Sequence, residues 1–211
     1  MIIEKPKVEQ REDWVDILRG LSVFLVITGH LYTGYLYHLV VNPVKMPLFY
    51  FLAGYVIKPG KPLKDVLFSR LKTLFIPLFV FSLFPARAFY YLFVLKNTQT
   101  FNSYLLGFVD GSINWFIYSF FVSSVLFYAI CSGFKNRGAA IGIVSLLCFV
   151  TGVLTKDVKW MSIWSINTAL TGILFLYMGS AFKRLQQKVM SKRYLPFLCG
   201  ITYALLIAFS Y

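Results

Sequence analysis

The sequence predicts an all-α, polytopic transmembrane helical bundle of about seven spans with its N-terminus in the cytoplasm. Three observations carry that reading. The chain is 58% hydrophobic and only 14% charged, with a mean hydropathy of +0.70, which excludes an ordinary soluble domain. Four apolar segments, about 14–33, 74–95, 114–133 and 165–182, have the roughly 17–25 residues a membrane-spanning helix needs. Three more, about 46–58, 139–155 and 194–211, are shorter or cut off. Finally, with the N-terminus inside, sixteen Lys and Arg fall in cytoplasmic segments and four (Lys45, Lys96, Lys156, Lys159) in outer ones, with Arg87 inside a span. That is a positive-inside pattern, and it accounts for the net charge of +13 without invoking a nucleic-acid partner.

Residues 1–13 are polar and read as a cytoplasmic tail. The first span, WVDILRGLSVFLVITGHLY, carries Asp16, Arg19 and His30. At about 100° per residue, Arg19 and His30 point within roughly 20° of one another, and Asp16 lies about 40° to the other side of His30. The three form one stripe, expected to face inward, because an Asp or Arg near mid-bilayer costs about 2.5–3.5 kcal/mol even on the lenient insertion scale. His38, in the short outer loop 34–45, is expected to be solvated. The second span opens with Met46-Pro47, and proline is well tolerated in a first helical turn. Gly54 is expected to permit close helix contact.

Residues 58–73 form a basic cytoplasmic connection. Its second half keeps helical spacing of Leu63, Val66, Leu67, Arg70, Leu71 and Leu74, as a helix lying in the interface would. The third span contains Pro77 and Pro85, each able to kink it, and Arg87 on its outer side. An outer polar loop, 96–112, ends in the turn signal Asp110-Gly111-Ser112, and Asn114-Trp115 opens the next span. Cys131, Cys148 and Cys199 fall in apolar stretches without metal-ligand spacing and read as small buried hydrophobes. No metal site, nucleotide-binding glycine loop or separate soluble domain is visible. The whole of 1–211 reads as a single membrane-embedded domain.

Four motifs, in this order, resemble the acyltransferase 3 family of integral-membrane O-acyltransferases, its fucose 4-O-acetylase-like branch in particular. The W-x-D-x-x-R-G opening with a later histidine appears as Trp14, Asp16, Arg19, Gly20 and His30. The M-P-L-F-F-x-x-S-G-Y element appears as residues 46–55, with Ala53 where serine is usual. The basic run ending in proline appears as Arg70, Lys72 and Pro77, with Thr73 where a second arginine is usual. Trp115-Phe116 matches a W-F pair opening a later span. Family members run to about ten spans, so the resemblance implies that C-terminal spans are missing from this chain.

The resemblance implies an O-acyltransferase moving an acetyl group from acetyl-CoA, or another acyl-CoA, to a hydroxyl of a cell-surface glycan or sugar-containing acceptor. The setting is a multi-pass protein of a bacterial-type cytoplasmic membrane. His30 is the general base that such chemistry needs, since the ordinary imidazole pKa suits proton transfer at neutral pH. Asp16 is grouped with it, orienting Arg19 at i,i+3 spacing. Arg19, Arg70 and Lys72 would hold the donor's phosphates. Arg87, Asn114 and Trp115 would meet the acceptor, with membrane-surface roles as the plain alternative. Direct transfer and a covalent acyl-enzyme on Ser22 or Thr28 both stay open, as does a homo-oligomer. The second reading is an exporter of polysaccharide or small solute, with the same stripe lining its path.

Overall fold

The computed structural model describes residues 12–31, 34–58, 60–83, 90, 94, 98–135 and 137–189. The elements in these residues are helical: α1 (Asp13–Leu31), α2 (Tyr35–Val40), α3 (Asn42–Val56), α4 (Leu63–Arg70), a π-helical turn (Leu71–Phe75), α5 (Ile76–Leu83), α6 (Thr98–Asp110), α7 (Trp115–Gly133), α8 (Gly138–Leu154), a 3-10 stretch (Lys159–Ser165) and α9 (Ile166–Val189). Three stretches, Asp13–Leu31, Phe101–Gly133 and Lys159–Gln186, are long and apolar enough to cross a membrane, and Gly138–Leu154 is a shorter apolar helix. The expected span 194–211, residues 84–89, 91–93 and 95 of the expected span 74–95, and the tail 1–11 lie outside the described residues.

The long α9 is the hub, packing against α3, α8 and α7, while α1 packs on α3. Lipid tails are as apolar as leucine, so helices in a bilayer associate through close packing of small residues. The α3–α9 seam does this at backbone level. A Cβ on Gly54 would come within 2.6 Å of the Leu176 carbonyl carbon, and one on Gly179 within 2.8 Å of the Phe51 carbonyl carbon and the Tyr55 nitrogen. The close contact expected at Gly54 is therefore present. Around it, Tyr50, Ala53, Phe120, Phe127, Cys131, Ile141, Ile173 and Leu176 form the main buried cluster. A second cluster of Val15, Leu52 and Tyr55 joins α1 to α3.

Two local features differ from the sequence expectation. The segment 96–112, expected as an outer polar loop, contains a helix, α6, and the turn expected after it is present: Gly111 has φ +83, and the Ser112 N–H donates to the Asp110 carboxylate at 2.8 Å. The stretch from α4 to α5 is continuous, broken in its hydrogen bonding by the π turn at Leu71–Phe75. Pro77 explains this, because its ring crowds the carbonyl four residues earlier, at Thr73, and it has no N–H to donate.

Candidate active site

The α1 helix keeps Asp16, Arg19 and His30 on one continuous helical stripe. Arg19 and Asp16 form an i,i+3 ion pair at 3.9 Å, and their side chains keep 40% and 36% of their surface exposed. The stripe flanks the packed face, which is centred on Val15 and Ser22, the two buried residues of α1. At the contact with α3, Val15 packs with Leu52 and Tyr55, so among the described residues the stripe expected to face inward stands beside this cluster. The Ser22 hydroxyl donates back to the Arg19 carbonyl at 2.8 Å, as serine in an apolar helix does.

Arg70, at the end of α4, lies over the Phe120 ring of α7 at 5.7 Å. Burial, and after it the like charge of Arg19, disfavour its charged form. The fold thus brings Arg19 and Arg70 within electrostatic reach, from positions 51 residues apart. At its other end α4 follows a turn whose Gly60 and Lys61 bond to Tyr128. Phe120 and Tyr128 are eight residues apart, so α4 runs antiparallel to α7 for about 12 Å. The helical part of the 58–73 connection thus packs beside α7. A cleft of about 270 Å³ beside it includes Lys58, Lys61, Asp65, Ser69, Arg70 and Tyr128 in its lining. Lys72 lies elsewhere, in an apolar groove with Leu71, Phe75, Ile76, Phe79 and Val80.

His30 stands at the far end of α1, eleven residues and about 16 Å from Arg19 along the axis. It is exposed. Beside it, the Lys45 ammonium lies 2.6 Å from where a Cβ of Gly29 would stand, with the Tyr37 ring at 3.3 Å. The Tyr37 hydroxyl donates to the Leu25 carbonyl and meets the Thr28 hydroxyl at 2.6 Å, so α2 is pinned to the His30 end of α1. Asn114 caps α7 without a side-chain cap bond, and Trp115, 39% exposed, meets Phe116 edge-on at 6.0 Å. Arg87 lies outside the described residues. Among the described residues no group of three His, Cys, Asp or Glu side chains could hold a metal ion.

Sequence reasoning passed over Tyr128, Lys58, Lys61, Lys45 and Tyr37 as parts of the site. The lysines were visible only as topological charges, and nothing local separates Tyr128 from the other thirteen tyrosines. It also missed Tyr55 as a tie between helices: its hydroxyl donates to the Glu12 carboxylate and meets the Gln186 side-chain amide. Trp14 packs on its ring at 5.0 Å and the Lys183 ammonium lies 5.6 Å from the ring centre.

A family profile described as an acyltransferase domain matches residues 12–211. No curated protein and no solved structure matches the chain.

Proposed function

The chain belongs to the acyltransferase 3 family, and from that premise we propose that it transfers an acetyl group from acetyl-CoA to a hydroxyl of a cell-surface glycan or sugar-containing acceptor. It acts as a single membrane-embedded domain of a bacterial-type cytoplasmic membrane, with its N-terminus inside. The observation that supports an anionic, phosphate-bearing donor best is Arg70, seated over the Phe120 ring, lining one cleft with Lys58 and Lys61. These three cations face the single carboxylate of Asp65 and leave net positive charge that a phosphate would neutralise, while Arg19, paired with Asp16 at 3.9 Å, adds a further guanidinium on α1.

In this reading the donor's phosphates sit near Arg19 and Arg70, and its thioester reaches along α1 toward His30. His30 takes the proton from the acceptor hydroxyl as its oxygen attacks the thioester carbonyl carbon. The C–O bond forms, the C–S bond breaks, and the sulfur leaves as thiolate, which takes up the proton. Asp16 fixes the Arg19 fork. Arg87, Asn114 and Trp115 meet the acceptor, Asn114 and Trp115 from the start of α7. Lys72, in its separate groove, contributes charge to the donor's approach rather than a contact in the cleft.

The test is transfer of labelled acetyl from acetyl-CoA to a lipid or glycan fraction, in membranes with the wild-type protein or the variant His30→Ala. Label moved by the wild type and lost in His30→Ala is the expected result, and normal turnover in His30→Ala refutes the base assignment. Arg19→Ala should chiefly weaken CoA binding, and an unchanged affinity refutes the phosphate role. No label from either protein, with no thermal stabilisation by CoA, refutes the enzyme and favours an exporter.

A further inference from the structure

The turn between α3 and α4 is held by one side chain from another helix. Tyr128 of α7 is buried, with 3% of its surface exposed. Its hydroxyl donates to the Lys61 carbonyl at 2.6 Å and accepts from the Gly60 N–H at 3.1 Å. Gly60 sits at φ +118, in the left-handed half of the map that glycine tolerates and other residues resist. The turn is thus bent at a residue that permits the bend and tied at both its donor and its acceptor. Phenylalanine would fill the same volume and make neither bond.

The tied turn forms one wall of the 270 Å³ cleft, whose charged lining is Lys58, Lys61 and Arg70 against Asp65. Three cations against one carboxylate suit an anion. The volume falls just under the roughly 300–1,000 Å³ of sites that enclose a drug-sized ligand, so the cleft takes the end of a long donor rather than the whole. Arg70 is set by its seat over Phe120. The lysines depend on the turn.

We propose that Tyr128 is a positioning residue for the donor: its hydroxyl holds the turn at Gly60 and Lys61 so that Lys58, Lys61 and Arg70 together line a cleft for the phosphate-bearing nucleotide end of the acyl donor. The identity of the anion as the donor rests on the function proposed above; the anion site itself does not. Losing one net hydrogen bond of about the usual size corresponds to a change of roughly fivefold in an equilibrium constant. Tyr128→Phe should therefore raise KM for acetyl-CoA about fivefold, with kcat and the acceptor KM within about twofold of wild type.

The control lies on the same helix. Tyr118 is also buried and also donates to a backbone carbonyl, that of Phe108, but near the opposite end of α7. Tyr118→Phe should lose comparable stability and leave the acetyl-CoA KM unchanged.

The experiment pairs these kinetics with direct binding of adenosine 3′,5′-bisphosphate to the purified full chain. The variant Lys58→Gln/Lys61→Gln, which touches only exposed side chains, stands in should Tyr128→Phe fail to fold. Weaker probe binding and a raised acetyl-CoA KM in Tyr128→Phe and the double lysine variant, with Tyr118→Phe like wild type, is the expected result. An unchanged KM in folded Tyr128→Phe overturns the proposal, as does an equal shift in Tyr118→Phe. Acetyl-CoA turnover by the wild type with probe binding unaffected by the lysines overturns the cleft while leaving the acyltransferase intact. Probe binding that needs the lysines, in a protein that transfers nothing, supports the cleft and refutes the enzyme.

Discussion

Replacing Gly54 by alanine places a methyl carbon 2.6 Å from the Leu176 carbonyl carbon, and the atoms it meets are backbone rather than the end of a flexible side chain. Non-bonded carbons rest at about 3.5–4.0 Å, so α3 and α9 must part by roughly 1 Å. Separation on that scale loosens the contacts of Tyr50 and Leu176 in the main cluster. Overpacking of this kind costs typically about 1–3 kcal/mol, partly offset by about 1 kcal/mol of helix propensity that alanine gains over glycine. At about 2–4 °C per kcal/mol for a chain of this size, Gly54→Ala should lower the unfolding midpoint by several degrees. Gly20 provides the internal comparison, because nothing lies within 4 Å of a Cβ there. Gly20→Ala should be neutral or slightly stabilising. The assay is thermal unfolding of both variants in one detergent, followed by light scattering. Gly54→Ala as stable as Gly20→Ala would refute the argument that a backbone seam holds α3 to α9.

Four further outcomes follow from the packing. Tyr55→Phe removes the bond to Glu12 and the contact with Gln186, and should cost about 1–3 kcal/mol, read as a lower unfolding midpoint. Ser145 carries a fully buried hydroxyl with no hydrogen-bond partner among the described residues, so Ser145→Ala should be neutral or stabilising by up to about 1 kcal/mol; Ser119→Ala, which takes the 2.9 Å partner from the buried Tyr50 hydroxyl, should destabilise in the same assay. Cys131 is 3% exposed at the core of the bundle, so a membrane-permeant maleimide should label it slowly in the native protein and at the full rate after unfolding; rapid native labelling would show that α7 does not pack as described.

Local rules carried the reading as far as single helices. The apolar segments around α1, α7, α8 and α9 were legible because span length and hydropathy are properties of one stretch of chain. The Asp16–Arg19 pair was legible because i,i+3 spacing fixes it. Gly54 was recognisable as a contact point, whereas its counterpart Gly179 was not, since nothing near either residue records the register of α3 on α9. The same limit explains α4. Amphipathic spacing tells a helix that it has two faces, but an interface and a groove beside α7 satisfy the pattern equally well. The seat of Arg70 over Phe120, and the bonds of Tyr128 to Gly60 and Lys61, depend on that groove. Trp164, at φ +55 with its indole N–H donating to the Val109 carbonyl at 2.9 Å, gave no sequence signal at all, because tryptophan has no preference for that conformation.

The seam between α3 and α9 also imposes an order on synthesis. Residues 57–165 lie between the end of one helix and the start of the other, and at about 5–20 residues per second the ribosome delivers α9 several seconds or more after α3. Throughout that interval the flat face at Gly54 lacks the surface it is shaped to meet. The α1–α3 pair is therefore a waiting half. Completion comes only when Gly179 arrives, so a chain halted before α9 would hold its first helices in place yet present an unfinished protein to membrane quality control.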